Sequence, residues 1–120
     1  MTYVDIKNAL ALIENPVDKL EFVMDLGKTL VEIPSDAKCT EIFGCASFVQ
    51  ICEKDGFFYG RADSLMVRGI VAIILAMVAG KTIEEIKQFD LFDEFNSLNL
   101  NFGAGRLNGI QSMISFFKNL

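Results

Sequence analysis

Histidine and tryptophan are both absent from this sequence of 120 residues. The absence of histidine excludes serine–histidine and cysteine–histidine catalytic pairs, HExxH zinc sites and any acid–base step on an imidazole. Lysine and arginine number 11 against 16 aspartates and glutamates, which gives a formal net charge of −5, and the cations form no cluster. Because nucleic-acid binding needs clustered cations against the phosphates, we expect no nucleic-acid partner.

Long apolar runs and targeting signals are also missing. The longest apolar stretch, residues 69–80, is shorter than the roughly 20 residues that cross a bilayer. Charged residues interrupt the first 15 positions, which therefore do not resemble a signal peptide. Only three cysteines occur, Cys39, Cys45 and Cys52, and an odd number without an export signal does not favour a disulfide framework. We expect a cytoplasmic protein with reduced thiols and no membrane association.

Hydrophobic residues, in contrast, make up 52% of the chain. A chain of this length and apolar content is long enough for one hydrophobic core and too short for two. We therefore expect residues 1–120 to form a single domain.

The spacing of the apolar residues changes along the chain. Helical spacing predicts one helix over 3–13 and a second from Pro16, with Asn15 as its N-cap. Alternation over 46–54, a turn signal at Asp55–Gly56 and a returning strand over 57–61 predict a hairpin, with an edge strand near 39–43.

The second half of the sequence is predicted to be helical. Asp63 or Ser64 is expected to cap an almost wholly apolar helix that ends near Ala79 and is buried at the centre of the core. Thr82 opens a short helix through a capping box, and 105–120 form the last helix. The order of elements predicts an α+β fold, a small antiparallel sheet of about three strands packed against helices.

Cys45 is the candidate for chemistry, in the sequence Gly44–Cys45–Ala46–Ser47. Gly44 permits a sharp turn that leaves the thiol at a loop tip, and the strand that follows anchors this tip to a rigid element. Such a geometry presents a thiol to another molecule. The alternative is a small buried hydrophobic residue, which most free cysteines are.

Three further segments accompany the motif GCASFVQI at 44–51: GRADSLMVRG at 60–69, the apolar helix into which it leads, and GRLNGI at 105–110. In this order the chain resembles the SufE family of sulfur-acceptor proteins. The pattern of that family runs GC-x-S-x-V, then a GDSDA-x-IVKG-like element, then R-x-NG before the last helix. The similarity extends over nearly the whole chain, and it implies a SufE/IscU-like fold.

The resemblance implies a sulfur acceptor without a metal or cofactor of its own. SufE-like proteins work with a PLP-dependent cysteine desulfurase of the SufS type. The acceptor cysteine, here Cys45, attacks the desulfurase persulfide, becomes a persulfide and passes the sulfur to a downstream scaffold for iron–sulfur cluster assembly. Such a protein stimulates the desulfurase and is an activator rather than a stand-alone enzyme.

The resemblance also assigns further site residues. Arg106 matches the family arginine and is expected near the Cys45 loop in support of the thiolate, the alternative being a role at the start of the last helix. Asp63 matches the aspartate of the SDA element, although a helix N-cap explains it more simply. Phe48 or neighbouring loop residues are expected in an exposed apolar patch. The loop and partner surface is assigned to Gly44, Ser47, Phe48 and Asp63.

Cys39 lies outside the family pattern. It is a candidate second thiol that accepts sulfur or pairs reversibly with Cys45, which requires Cα atoms within about 7 Å, and the alternative is that it is incidental. Cys52 is expected to be a small core residue within a strand.

Two other classes of function stay open. A metal or cluster scaffold of the IscU type needs roughly three or four soft ligands, whereas this chain has three cysteines, no CxxC motif and no histidine. A non-catalytic module would bind a partner through its acidic surface.

Overall fold

The computed structural model describes residues 1–120, apart from the side chain of Ala104. The helices are α1 (Tyr3–Leu12), α2 (Pro16–Gly27), α3 (Leu65–Val78), α4 (Ile83–Gln88), α5 (Leu91–Asn96) and α6 (Ala104–Lys118). The strands are β1 (Lys38–Glu41), β2 (Val49–Lys54) and β3 (Phe57–Ala62), which lie between α2 and α3 in the chain. The predicted α+β fold with a three-stranded sheet is confirmed.

The three strands form one antiparallel sheet in the order β1-β2-β3. The hairpin between β2 and β3 turns at Asp55 and Gly56, whose φ angles of 53° and 82° are both positive, as the two central positions of this turn type require. Strand β2 begins at Val49 and not at residue 46 as predicted. The N–H of Ile42 donates to the Val49 carbonyl at 2.9 Å, so the intervening residues are excluded from the ladder and form a loop.

Polar side chains cap the helices where the sequence predicts it. Asn15 accepts from the backbone N–H groups of Val17 and Asp18 at the start of α2, and Thr82 forms the predicted capping box with Glu85 at the start of α4. These bonds satisfy backbone donors that have no partner within the helix. The caps therefore define where these two helices begin.

Helix α3 is the centre of the core, as its apolar sequence predicts. Nine of its 14 residues are buried, and it packs against α2 on one side and β3 on the other. Gly69 makes the contact with α2 so close that a Cβ atom there would lie 2.1 Å from the Val23 carbonyl oxygen. Each Leu or Ile buried in this way contributes about 1.5–3 kcal/mol, so α3 forms the rigid base for the sheet and its loops.

Helices α4, α5 and α6 complete the fold, with α6 packed against α4 and α5. Among the described residues, no helix has both the length and the apolar character needed to span a bilayer.

Candidate functional site

The loop of residues 42–48 joins β1 to β2 and carries Cys45. We call this segment the Cys45 loop. At its base the Ile42–Val49 backbone hydrogen bond closes the ladder, and the N–H of Asp63 donates to the Phe48 carbonyl at 3.2 Å. Gly44 turns the chain with a φ of 96°, a backbone conformation that favours glycine over residues with a side chain. The predicted turn immediately before Cys45 is confirmed.

The Cys45 loop lies against helix α6. The Sγ of Cys45 donates to the Gly109 carbonyl at 3.7 Å, a weak bond typical of a thiol. One turn further along α6, Ser112 lies directly beneath Gly44, where an added Cβ atom would be 2.4 Å from the Ser112 Oγ. The loop therefore packs against this helix through backbone and thiol.

A pocket of about 170 Å³ lies beside the Cys45 thiol. Its walls are mostly apolar, and they come from the Cys45 loop, α3 and α6. They include Ser47, Ser64, Val67, Arg106, Ile110 and Met113. The structure thus brings together the loop, the start of the central helix and the start of the last helix, three segments that are distant in the sequence.

Burial controls the electrostatics of the thiol. Cys45 is half-buried, and desolvation by the surrounding protein raises its pKa. A thiol with a raised pKa is mostly protonated near neutral pH and is a weak nucleophile, because the thiolate is the reactive form. The position of the loop therefore disfavours the thiolate form of Cys45.

Arg106 and Cys45 line the same pocket. Arg106 is in the first turn of α6, where its backbone N–H donates to the Gly103 carbonyl at 3.3 Å. Its side chain is exposed, and it is the only charged residue among the described residues that line the pocket.

Asp63 does not cap α3. The N-cap is Ser64, whose side chain accepts from the backbone N–H of Val67 at 3.4 Å. Of the two candidate caps, Ser64 is therefore confirmed, and the interpretation of Asp63 as an N-cap is wrong. Asp63 is exposed and contacts the Cys45 loop through its backbone. The backbone bond places the end of β3 beside the end of the Cys45 loop.

Apolar side chains are exposed around the site. Phe48 is 37% exposed, and Phe43 in the same loop is 77% exposed. Leu107, which follows Arg106 in α6, is 41% exposed. The prediction included residues next to Phe48 in the loop but did not single out Phe43, although its position immediately before Gly44 marks it as a residue of the turn.

Cys39 and Cys52 form a disulfide, so the expectation of three reduced thiols is wrong for this pair. Cys39 is neither a free second thiol nor a partner of Cys45. The two residues are direct partners in the β1–β2 register, with Cα atoms 4.0 Å apart, which is the close spacing of a non-hydrogen-bonded antiparallel pair. Cys52 is fully buried, as predicted, but it is bonded to the exposed strand β1. Sequence reasoning missed this pair, although Cys39 and Cys52 lie at similar distances on either side of the Cys45 loop.

The described residues contain no group of three or more histidine, cysteine, aspartate or glutamate side chains placed to hold a metal ion. With Cys39 and Cys52 bonded to each other, the three cysteines cannot act as a set of three thiolate ligands in this state. The metal-scaffold alternative therefore has no ligand set among the cysteines as the structure has them.

Comparison with known proteins leads to the same family as the sequence motifs. The family model for SufE, an Fe–S metabolism associated domain, matches residues 4–120. An uncharacterized SufE-like protein of Rhizobium meliloti (strain 1021) is 35% identical, over 98% of this chain and 94% of the relative. The sulfur acceptor protein CsdE of Escherichia coli (strain K12) is 30% identical, over 90% of this chain and 80% of the relative. The cysteine desulfuration protein SufE of Wigglesworthia glossinidia brevipalpis is 28% identical, over 88% and 79%. A family model that matches all but the first three residues, on a fold with the predicted elements, means that this chain belongs to the SufE family.

Proposed function

We propose that this chain is a sulfur acceptor for a cysteine desulfurase in iron–sulfur metabolism, and that Cys45 is the acceptor. The observation that carries the proposal is the state of the three cysteines. Of the thiols that the structure describes, Cys45 alone is free, and it lies at the tip of a glycine turn beside an apolar pocket. The names of the relatives, a sulfur acceptor and a cysteine desulfuration protein, support the same chemistry.

The reaction is an exchange between two sulfur atoms. The Cys45 thiolate attacks the outer sulfur of the desulfurase cysteine persulfide, the S–S bond of that persulfide breaks, and the desulfurase cysteine leaves as a thiolate. Cys45 then carries the sulfur as Cys–S–SH, and its own proton is lost when the thiolate forms. No net oxidation occurs, and the reaction requires no metal or cofactor on this chain. We propose a PLP-dependent, SufS-type desulfurase as donor and a cluster-assembly scaffold as the next acceptor.

The Cys45 loop must open for this exchange. In the resting position the thiol contacts Gly109 and has a raised pKa, so it is poorly placed and poorly ionised for attack. A partner that binds the open loop more tightly than the closed loop shifts the population toward the open state. Two backbone hydrogen bonds at the base of the loop, from Ile42 to Val49 and from Asp63 to Phe48, would limit this motion to residues 43–47.

Arg106 would stabilise the anion that forms at Cys45. A cation in the first turn of a helix opposes the helix dipole, so the position of Arg106 is not explained by helix stability. Arg106 is exposed and lines the pocket, and its positive charge would favour the thiolate and the persulfide anion. Because the chain lacks histidine, an arginine is the cationic group that the pocket offers for this task.

The exposed apolar side chains of the loop would form part of the partner surface. Phe43 and Phe48 lie on either side of Cys45 in the chain and expose 77% and 37% of their surface. Burying two aromatic side chains against a partner contributes a substantial part of the free energy of docking, and it would occur as the loop opens. Docking and exposure of the thiol would thus be coupled.

The test is intact-protein mass spectrometry after incubation with a cysteine desulfurase and cysteine under non-reducing conditions. We expect a gain of one sulfur atom on the wild-type chain and none on Cys45→Ser. Cys39→Ser is the matched control and should still gain the sulfur, mapped to Cys45 by peptide analysis.

Three results would contradict the proposal. Sulfur found on Cys39 or Cys52 would assign the chemistry to another residue. Stoichiometric iron or zinc held by the purified protein would favour the scaffold alternative. A Cys45→Ala variant that stimulates the desulfurase as well as the wild type would favour the non-catalytic binding module.

A further inference from the structure

Gly109 lies in the interior of α6, where glycine is an unfavourable residue. It is buried, and a Cβ atom added to it would lie 3.1 Å from the Cys45 Sγ, 3.4 Å from the Cys45 Cα and 3.5 Å from the Cys45 Cβ. The first of these distances is closer than an ordinary van der Waals contact allows. The close contact with Cys45 is thus a structural reason for a glycine at this position.

A second contact of the same kind lies one turn along the helix. Gly44 approaches Ser112 so closely that a Cβ atom at residue 44 would be 2.4 Å from the Ser112 Oγ. Two residues of the loop therefore meet two residues on one face of α6, and each contact depends on a missing side chain. The loop and the helix fit together as a pair of complementary surfaces.

We propose that Gly109 is a positioning residue that sets how far the Cys45 loop closes against α6, and thereby how much of the Cys45 thiol is available to a sulfur donor. The inference rests on the proposed function of Cys45. A side chain at residue 109 would displace the thiol from its contact with the helix and increase the population of the open loop. Sulfur would then reach Cys45 more readily, and a persulfide on Cys45 would be lost more readily to other thiols.

The pairing of Cys39 with Cys52 makes a direct measurement feasible. Because Cys45 is the free thiol among the cysteines that the structure describes, alkylation by iodoacetamide under non-reducing conditions reports on Cys45 alone. We expect Gly109→Ala to raise the alkylation rate by at least about threefold at fixed neutral pH, since both access and thiolate fraction increase. The pH profile of the rate should move to lower pH, because the exposed thiol loses part of the desolvation that raises its pKa. Arg106 is the one charged residue among the described pocket residues, and it is unchanged in this variant.

Gly105→Ala is the matched control. Gly105 lies in the same helix and lines the same pocket. A Cβ atom added to it meets nothing within 4 Å, so this variant makes the same chemical change beside the pocket without the contact to Cys45. It should alkylate at the wild-type rate. Gly109→Ser, which adds a Cβ atom at the same point, should repeat the result of Gly109→Ala. Circular dichroism should show native helix content in all three variants, since alanine favours a helix more than glycine does.

Two alkylation results would overturn the inference. One is a wild-type rate in both Gly109→Ala and Gly109→Ser. The other is an equal increase in Gly105→Ala, which would attribute the effect to the helix as a whole. The two proposals can fail separately. If wild-type Cys45 accepts sulfur but the Gly109 variants are alkylated at the wild-type rate, only the role of Gly109 is refuted. Absence of sulfur transfer to wild-type Cys45 refutes the proposed function, while alkylation still decides whether Gly109 positions the loop.

Discussion

Removal of the Cys39–Cys52 disulfide should lower the stability of the fold by an amount that follows from its place in the chain. The two cysteines are separated by 13 residues in the sequence. Closing a loop of this size in the unfolded chain reduces its conformational entropy, which corresponds to about 3 kcal/mol of stability at 25 °C. For a domain of 120 residues, this loss lowers the melting temperature by about 12 °C.

Cys39→Ser is the variant that isolates this effect. Cys39 is exposed, whereas Cys52 is fully buried. A serine at residue 39 would therefore contact solvent, but a serine at residue 52 would further destabilise the fold by burying a hydroxyl group. Thermal and urea unfolding followed by circular dichroism under non-reducing conditions should show the loss. A reductant should lower the stability of the wild type to that of the variant and leave the variant unchanged.

The entropic reasoning would be refuted if wild type and Cys39→Ser unfold at the same temperature without reductant. It would also be refuted if the reductant destabilises both proteins equally, because the variant has no disulfide to lose. A native-like spectrum for Cys39→Ser at room temperature is expected, since the core around α3 does not depend on this bond.

Three further predictions concern other parts of the molecule. Arg106→Gln should slow sulfur transfer to Cys45 by about tenfold, which corresponds to the loss of one charge-assisted interaction of about 1.4 kcal/mol. The melting temperature should not change. A transfer rate equal to that of the wild type would exclude the proposed role of Arg106. Gly69→Ala should destabilise the fold by about 3 kcal/mol or more in urea unfolding, because the new Cβ atom would lie 2.1 Å from the Val23 carbonyl oxygen. A loss of stability below about 1 kcal/mol would show that α2 and α3 separate easily. The hydroxyl of Tyr3 donates a hydrogen bond to the Glu94 carboxylate at 2.6 Å. This bond contributes most to lowering the pKa of Glu94. A carboxylate with a lowered pKa stabilises the fold above its unfolded pKa, and this contribution is lost as pH falls through the folded pKa. Glu94→Gln should therefore destabilise the protein at pH 7 but make little difference at pH 2, and equal destabilisation at both pH values would contradict this assignment.

Local features of the fold were predicted well, because each depends on residues a few positions apart. Asn15 and Thr82 cap helices through bonds to N–H groups two or three residues ahead. Asp55 and Gly56 set the hairpin turn through their own φ angles. The start of β2 was placed three residues too early, because alternation of apolar and polar residues continues into the loop while backbone pairing begins only at Val49.

The sequence by itself determined the α+β class, the glycine turn before Cys45 and the family to which the chain belongs, because periodicity, caps and motifs depend on residues that are close together in the sequence. The tertiary structure decided what surrounds the thiol. Gly109 contacts Cys45 across 64 positions of the chain, and Cys39 faces Cys52 because of the register of two strands. Both contacts depend on how a helix packs and how two strands align, and a shift of one residue in that register would turn the two cysteines to opposite faces of the sheet.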